Sequence, residues 1–207
     1  MIYTRLYGIV DADALRSSGV SIQTMAEGLR DAGVRIVQFR DKSGSPQDVL
    51  RAVAVIAAVF EGVNATLILN DRADLALLAG WGVHVGHLDL SPTDARRVLG
   101  YGKIIGVSTH NDAQVIAADA SDADYIALGP VFATSTKADT EPVIGLEGVR
   151  RARSLTKKPL VAIGGITREN ARSVIDAGAD SVAVIGGLLV KDEEPRKVAE
   201  DFLEILR

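Results

Sequence analysis

Ile22-Gln23-Thr24-Met25-Ala26-Glu27-Gly28-Leu29-Arg30-Asp31-Ala32-Gly33-Val34-Arg35-Ile36-Val37-Gln38-Phe39-Arg40 holds one complete structural unit. Ile22, Met25, Ala26 and Leu29 fall at i, i+3, i+4 and i+7, the apolar stripe of an amphipathic helix. Ala32-Gly33 ends that stripe with the residue that most readily adopts the left-handed backbone of a helix C-terminus. Residues 35–40 follow as a short, mostly apolar run, the pattern of a strand buried on both faces.

The unit recurs in both directions. Val49, Val53, Ile56 and Phe60 form a second helical stripe, and Val198, Phe202 and Ile205 a late one. Ser45-Pro46-Gln47-Asp48 and Ser91-Pro92-Thr93-Asp94 each place a serine cap, a first-turn proline and an acidic third position. Ala79-Gly80 and Ala177-Gly178 repeat the glycine stop. Strands are expected near 5–10, 35–40, 66–70, 83–86, 103–108, 125–129, 160–164 and 181–185. Strand–helix alternation of this length predicts an α/β fold, a (β/α)8 TIM barrel over residues 1–207, with a doubly wound open sheet as the alternative.

Composition narrows the function. The chain has 207 residues, 47% hydrophobic and 24% charged, with a formal net charge of −4. That charge argues against a nucleic-acid partner, whose binding needs a basic face. No apolar run is long enough to predict a membrane span, and no signal peptide is expected. The absence of cysteine excludes disulfides, thiolate metal sites and cysteine nucleophiles, and suits the cytoplasm.

In such a barrel, function sits at the carboxyl ends of the strands. After the second strand, Gln38 and Arg40 share one face. Either an ion pair with Asp41 or Asp71 settles them, or they line a polar mouth from which Lys42 reaches an anion. Asp71, after Asn70, and Asp89 would close neighbouring strands, about 4.8 Å apart. They could share one hard cation, completed by water and phosphate oxygens, or each could cap the helix that follows.

His84, between two valines, reads as a satisfied core histidine, whereas His87 lies nearer the rim. Ser108 and His110, after the fifth strand, are suited to donate hydrogen bonds; no oxyanion-hole motif accompanies them. The stretch Thr134-Ser135-Thr136-Lys137 lies in the longest polar loop, running to Gly145. Its hydroxyls and lysine suit a phosphate or carboxylate, its length suits a lid, and an ordinary solvated loop is the alternative. The last two strands end in Gly164-Gly165 and Gly186-Gly187, which either expose backbone N–H groups to a phosphate or make tight turns.

In order along the chain, several stretches resemble the thiamine phosphate synthase family. They are Leu6-Tyr7-Gly8-Ile9-Val10-Asp11, Gln38-Phe39-Arg40-Asp41-Lys42, Leu69-Asn70-Asp71-Arg72-Ala73-Asp74-Leu75-Ala76, Gly82-Val83-His84-Val85-Gly86, Ile105-Gly106-Val107-Ser108-Thr109-His110, Gly129-Pro130-Val131-Phe132 and Ala162-Ile163-Gly164-Gly165-Ile166. The resemblance implies a transferase that joins hydroxymethylpyrimidine diphosphate to a thiazole phosphate, releasing pyrophosphate. It implies Mg²⁺ held by Asp71 and Asp89, and the pyrimidine diphosphate bound by Gln38, Arg40, Lys42 and Asn70. Ser108 and Lys137 would contact its phosphates, making Lys42, Lys137 and Ser108 the catalytic contacts. Thr134 and Thr136 would meet the thiazole, and Gly165, Ile185 and Gly186 its phosphate. The implied partners are small molecules, with no nucleic acid and no membrane; a homo-oligomer stays open.

Four positions depart from the family pattern: His87 and Leu88 where glutamine and glutamate are usual, Asp41 for glutamate, and Gly186 for serine. Two rival readings share the fold: a thiazole tautomerase-like relative using His87 or His110 as acid and base, and a silent thiazole phosphate-binding regulator. Retention of Asp71, Asp89 and Lys42 disfavours both.

Overall fold

A computed structural model describes residues 4–134 and 141–207. Eight strands close into a parallel barrel in chain order: β1 (Leu6–Asp11), β2 (Ile36–Arg40), β3 (Thr66–Asn70), β4 (Gly82–Val85), β5 (Ile105–Thr109), β6 (Tyr125–Leu128), β7 (Leu160–Ile163) and β8 (Ser181–Val184). The barrel replaces the open-sheet alternative, because β8 pairs back onto β1 through Leu6–Val182 and Gly8–Val184.

Nine α-helices cover the described chain: α1 (Ala12–Ser18), α2 (Ile22–Ala32), α3 (Pro46–Val59), α4 (Ala73–Ala79), α5 (Pro92–Leu99), α6 (Asp112–Asp119), α7 (Gly145–Leu155), α8 (Ala171–Asp176) and α9 (Pro195–Ile205). A 3₁₀ turn over Gly186–Leu188 follows β8. The caps fall where the sequence puts them. Ser45 accepts from Asp48 N while Asp48 accepts from Ser45 N, and Ser91 accepts from Asp94 N. Gly33 and Gly80 end α2 and α4 in left-handed backbone. α1 has no apolar stripe to announce it; Asp11, the last residue of β1, caps it through Ala14 N. None of the described helices is long and apolar enough to cross a membrane.

Strand side chains alternate in direction, and that period sorts two cores. Outward residues such as Val37, Phe39, Leu69, Val83, Ile126 and Val182 pack beneath the helices. Inward residues form a second cluster of Tyr7, Ile9, Ile36, Ile68, Tyr125, Ala127, Val161, Ala183 and Ile185. The same parity puts Gln38, Asn70, His84 and Ser108 inside the barrel. Inward-facing Gly106 gives up a side chain for Tyr125: a Cβ there would lie 2.0 Å from the ring.

Candidate active site

The carboxyl ends of the strands open into a cavity of about 1020 Å³ whose walls include Asp11, Gln38, Arg40, Lys42, Asn70, Asp71, Asp89 and Ser108. The acid that meets Arg40 is Asp11, not Asp41 or Asp71, and Asp11 is itself buried at the end of β1. One Asp11 oxygen caps α1 while the other accepts from Arg40, so a helix start fixes the guanidinium. Asp41 instead turns the following loop, accepting from Ser43 N and Gly44 N. Lys42 reaches across from the loop after β2 to pair with Asp71.

Asp71 does not cap α4, which has no side-chain cap. Its φ of 62° turns it in left-handed backbone, and its N–H donates to His84 O at 2.7 Å. That conformation, which aspartate tolerates better than most residues, sits at the rim of the cavity. Asp89 does not cap α5; its Oδ2 accepts from Gly86 N at 2.8 Å. Burial pushes the Asp71 carboxyl above its ordinary range, Lys42 pulls it back, and the adjacent Asp89 carboxyl pushes it up again. Two hard oxygen donors thus face one another. Among the described residues no group of three or more such ligands occurs. A pair of carboxylates with room for water and phosphate is the donor set magnesium takes; a full protein cage is not. Leu88 is fully exposed and the His87 ring lies 5.9 Å from that of His110, while the Gly86–Asp89 bond is intact.

Beneath the rim the inward polar residues form one chain. Gln38 Nε2 donates to Asn70 Oδ1 at 3.1 Å, and Tyr7 Oη donates to Gln38 Oε1 at 2.7 Å. Tyr7 and Tyr125 hydroxyls meet at 2.9 Å, Tyr125 and His84 Nδ1 at 2.8 Å, and His84 Nε2 and Ser108 Oγ at 2.9 Å. His84 is the satisfied interior histidine its sequence setting suggests. Tyr7 and Tyr125 are the residues the sequence reading passed over. Their signal is parity alone: both fall on the inward register beside the polar positions. Burial raises both phenols above their ordinary range, so each keeps a proton to donate.

A second cavity of about 520 Å³ adjoins the first and is walled by Thr134, Gly164, Gly165, Ile166, Gly186 and Gly187. His110, Ile163, Ala183, Ile185 and Gly186 line both. His110 donates from Nδ1 to Gly129 O at 2.6 Å, which orients its ring on that shared wall. Gly165 has a φ of 63°, and a Cβ there would lie 2.5 Å from Ala133 O; Gly164 similarly abuts Pro130. The β7 glycines therefore do make a tight packing turn. Gly165 N–H and Gly186 N–H also have no backbone acceptor among the described residues. Thr136 and Lys137, with the middle of the expected lid, lie outside the described residues.

The profile of the thiamine monophosphate synthase family matches residues 6–188. The thiamine-phosphate synthase of Koribacter versatilis is 52% identical over 205 residues, covering 98% of this chain and 95% of that one. That of Methanosarcina mazei is 41% identical over 178 residues, covering 86% and 73%. The solved thiamine phosphate pyrophosphorylase of Pyrococcus furiosus superposes with a TM-score of 0.87 at 30% identity, over 99% of this chain and 96% of that one. With its barrel, its two joined cavities and the motifs around them, this chain belongs to the thiamine monophosphate synthase family of transferases.

Proposed function

We propose that the chain couples hydroxymethylpyrimidine diphosphate to thiazole phosphate, giving thiamine phosphate and pyrophosphate in the cytoplasm. The observation that carries this reading is the pairing of Asp71 with Asp89 beside Lys42, in a cavity that shares a wall with the glycine-lined one. One half suits a diphosphate and the other a monophosphate.

Asp71 and Asp89 would hold Mg²⁺, which when bound would offset the charge of the departing pyrophosphate. Arg40, fixed by Asp11, and Lys42 would bind the same diphosphate, and Ser108 and Lys137 would contact its oxygens. Gln38 and Asn70 hold the pyrimidine ring. The C–O bond to diphosphate breaks as an aminopyrimidine-stabilised cation forms, and the thiazole nitrogen supplies the electron pair of the new C–N bond. No proton needs to leave before that bond forms, so placement and charge do the work rather than a base. Thr134 and Thr136 would meet the thiazole; the N–H groups of Gly165 and Gly186, with Ile185 beside them, would receive its phosphate.

The test is incubation with both substrates and Mg²⁺, scoring pyrophosphate and coupled product, beside a thiazole-only isomerisation control. Stoichiometric pyrophosphate and product support the reading. Isomerisation without coupling would replace it with the tautomerase-like one.

A further inference from the structure

The hydrogen-bonded chain inside the barrel has a direction. Tyr7 gives its proton to Gln38 Oε1, so its own oxygen accepts from Tyr125, and Tyr125 in turn accepts from His84 Nδ1. Turning the Gln38 amide over would require reversing every one of these links, including the tautomer of His84. After its bonds to Tyr7 and Asn70, the amide keeps one lone pair on Oε1 and one hydrogen on Nε2. A carboxamide with that free pair matches an exocyclic amino group beside a ring nitrogen, as in the bidentate reading of adenine by glutamine. The oxo counterpart presents acceptor and donor the other way round.

We infer that Tyr7 is a positioning residue that holds the Gln38 amide in one orientation and so selects an aminopyrimidine over the corresponding oxopyrimidine, with Tyr125 and His84 completing its hydrogen bonds from behind. This rests on the reading above, in which Gln38 meets the pyrimidine. The room for Tyr125 is built in at the Gly106 position, where any side chain would collide with the ring and hydroxyl. Both phenols are buried, with Tyr7 2% and Tyr125 0% exposed, so water does not replace the links.

Two substitutions separate this role from simple packing. In Tyr7→Phe the amide loses the hydroxyl that polarises it, and the Gln38–Asn70 pair can turn over together. In Tyr125→Phe, Tyr7 keeps Gln38 Oε1 as its acceptor, so the amide stays fixed. The probes are hydroxymethylpyrimidine monophosphate and its 4-oxo counterpart, neither of which carries the leaving diphosphate. Titration calorimetry on the wild-type protein is expected to show the amino ligand favoured by at least about 30-fold. Tyr7→Phe is expected to cut that ratio about tenfold, while Tyr125→Phe keeps it within about threefold. Thermal melts report what each variant costs in stability, separately from the ratio. Equal loss of selectivity in both variants, or no loss in either, overturns this role of Tyr7 while leaving the synthase reading intact. Failure of the wild-type protein to bind the amino ligand or to turn over its diphosphate overturns both.

Discussion

Asp71 is one of two non-glycine residues with positive φ among the described residues, and its carboxyl is held above the ordinary range by burial and by Asp89. A carboxyl with a raised folded pKa costs the fold nothing below the unfolded pKa of about 4. The penalty grows as pH rises from there and is complete once the pH has passed the folded value. Asp71→Asn keeps the backbone, since asparagine also accepts left-handed φ, and removes the repulsion. Without metal, the variant is expected to melt about 2 °C above wild type at pH 7 and alongside it below about pH 4. Magnesium is expected to raise the wild-type melting temperature and to leave that of the variant unmoved. A metal-dependent rise in the variant would remove Asp71 from the site. Gly106 makes an equally local case. Its replacement by alanine drives a Cβ into the Tyr125 ring and is expected to cost about 1–3 kcal/mol in urea unfolding.

Strand starts at the opposite end of the barrel use one device twice. Ala123-Asp124 precedes β6 and Ala179-Asp180 precedes β8. Asp124 Oδ2 accepts from Ile105 N of β5 and from Arg96; Asp180 Oδ2 accepts from Leu160 N of β7 and from Arg153. Each aspartate thus ties a neighbouring strand to a helix, far from either cavity. Asp124→Ala leaves the Arg96 side chain, which is 9% exposed, short of its carboxylate. The expected cost is about 2 kcal/mol of unfolding free energy, with KM for both substrates unchanged. A changed KM would mean that this end of the barrel communicates with the other.

For the molecule as a whole, legibility in the sequence followed the local rules and stopped where contacts became long-range. The apolar stripe of α2, the serine caps of α3 and α5 and the glycine stops announce the barrel, because each is settled within a few residues. The places of Gln38, Arg40, Lys42, Asp71 and Asp89 on the cavity wall were readable because polar residues at strand ends are costly without a purpose. Asp11 as the partner of Arg40, and the Tyr7–Tyr125 contact across the barrel, were not: they join residues 29 and 118 positions apart, which only closure brings together. The helix α1 escaped because its turns carry a cap but no stripe.

The two cavities share a wall but hold different polar groups, and that division makes the last prediction. Lys42 faces only the larger cavity and Gly165 only the smaller. Lys42→Ala removes a charge-assisted contact and is expected to raise KM for the pyrimidine diphosphate about 10- to 100-fold, with the thiazole phosphate KM unchanged. Gly165→Ala forces a Cβ against Ala133 O at a backbone angle that favours glycine, shifting the N–H groups on that side. It is expected to raise the thiazole phosphate KM about tenfold and spare the other. Substitutions acting on separate substrates through separate walls add in free energy, to within about 0.5 kcal/mol. The double variant should therefore lose kcat divided by the two KM values together, as the product of the two single losses, to within about twofold. A loss well below that product would mean that both residues serve one shared anion, and the barrel's mouth would then hold a single anion site rather than two.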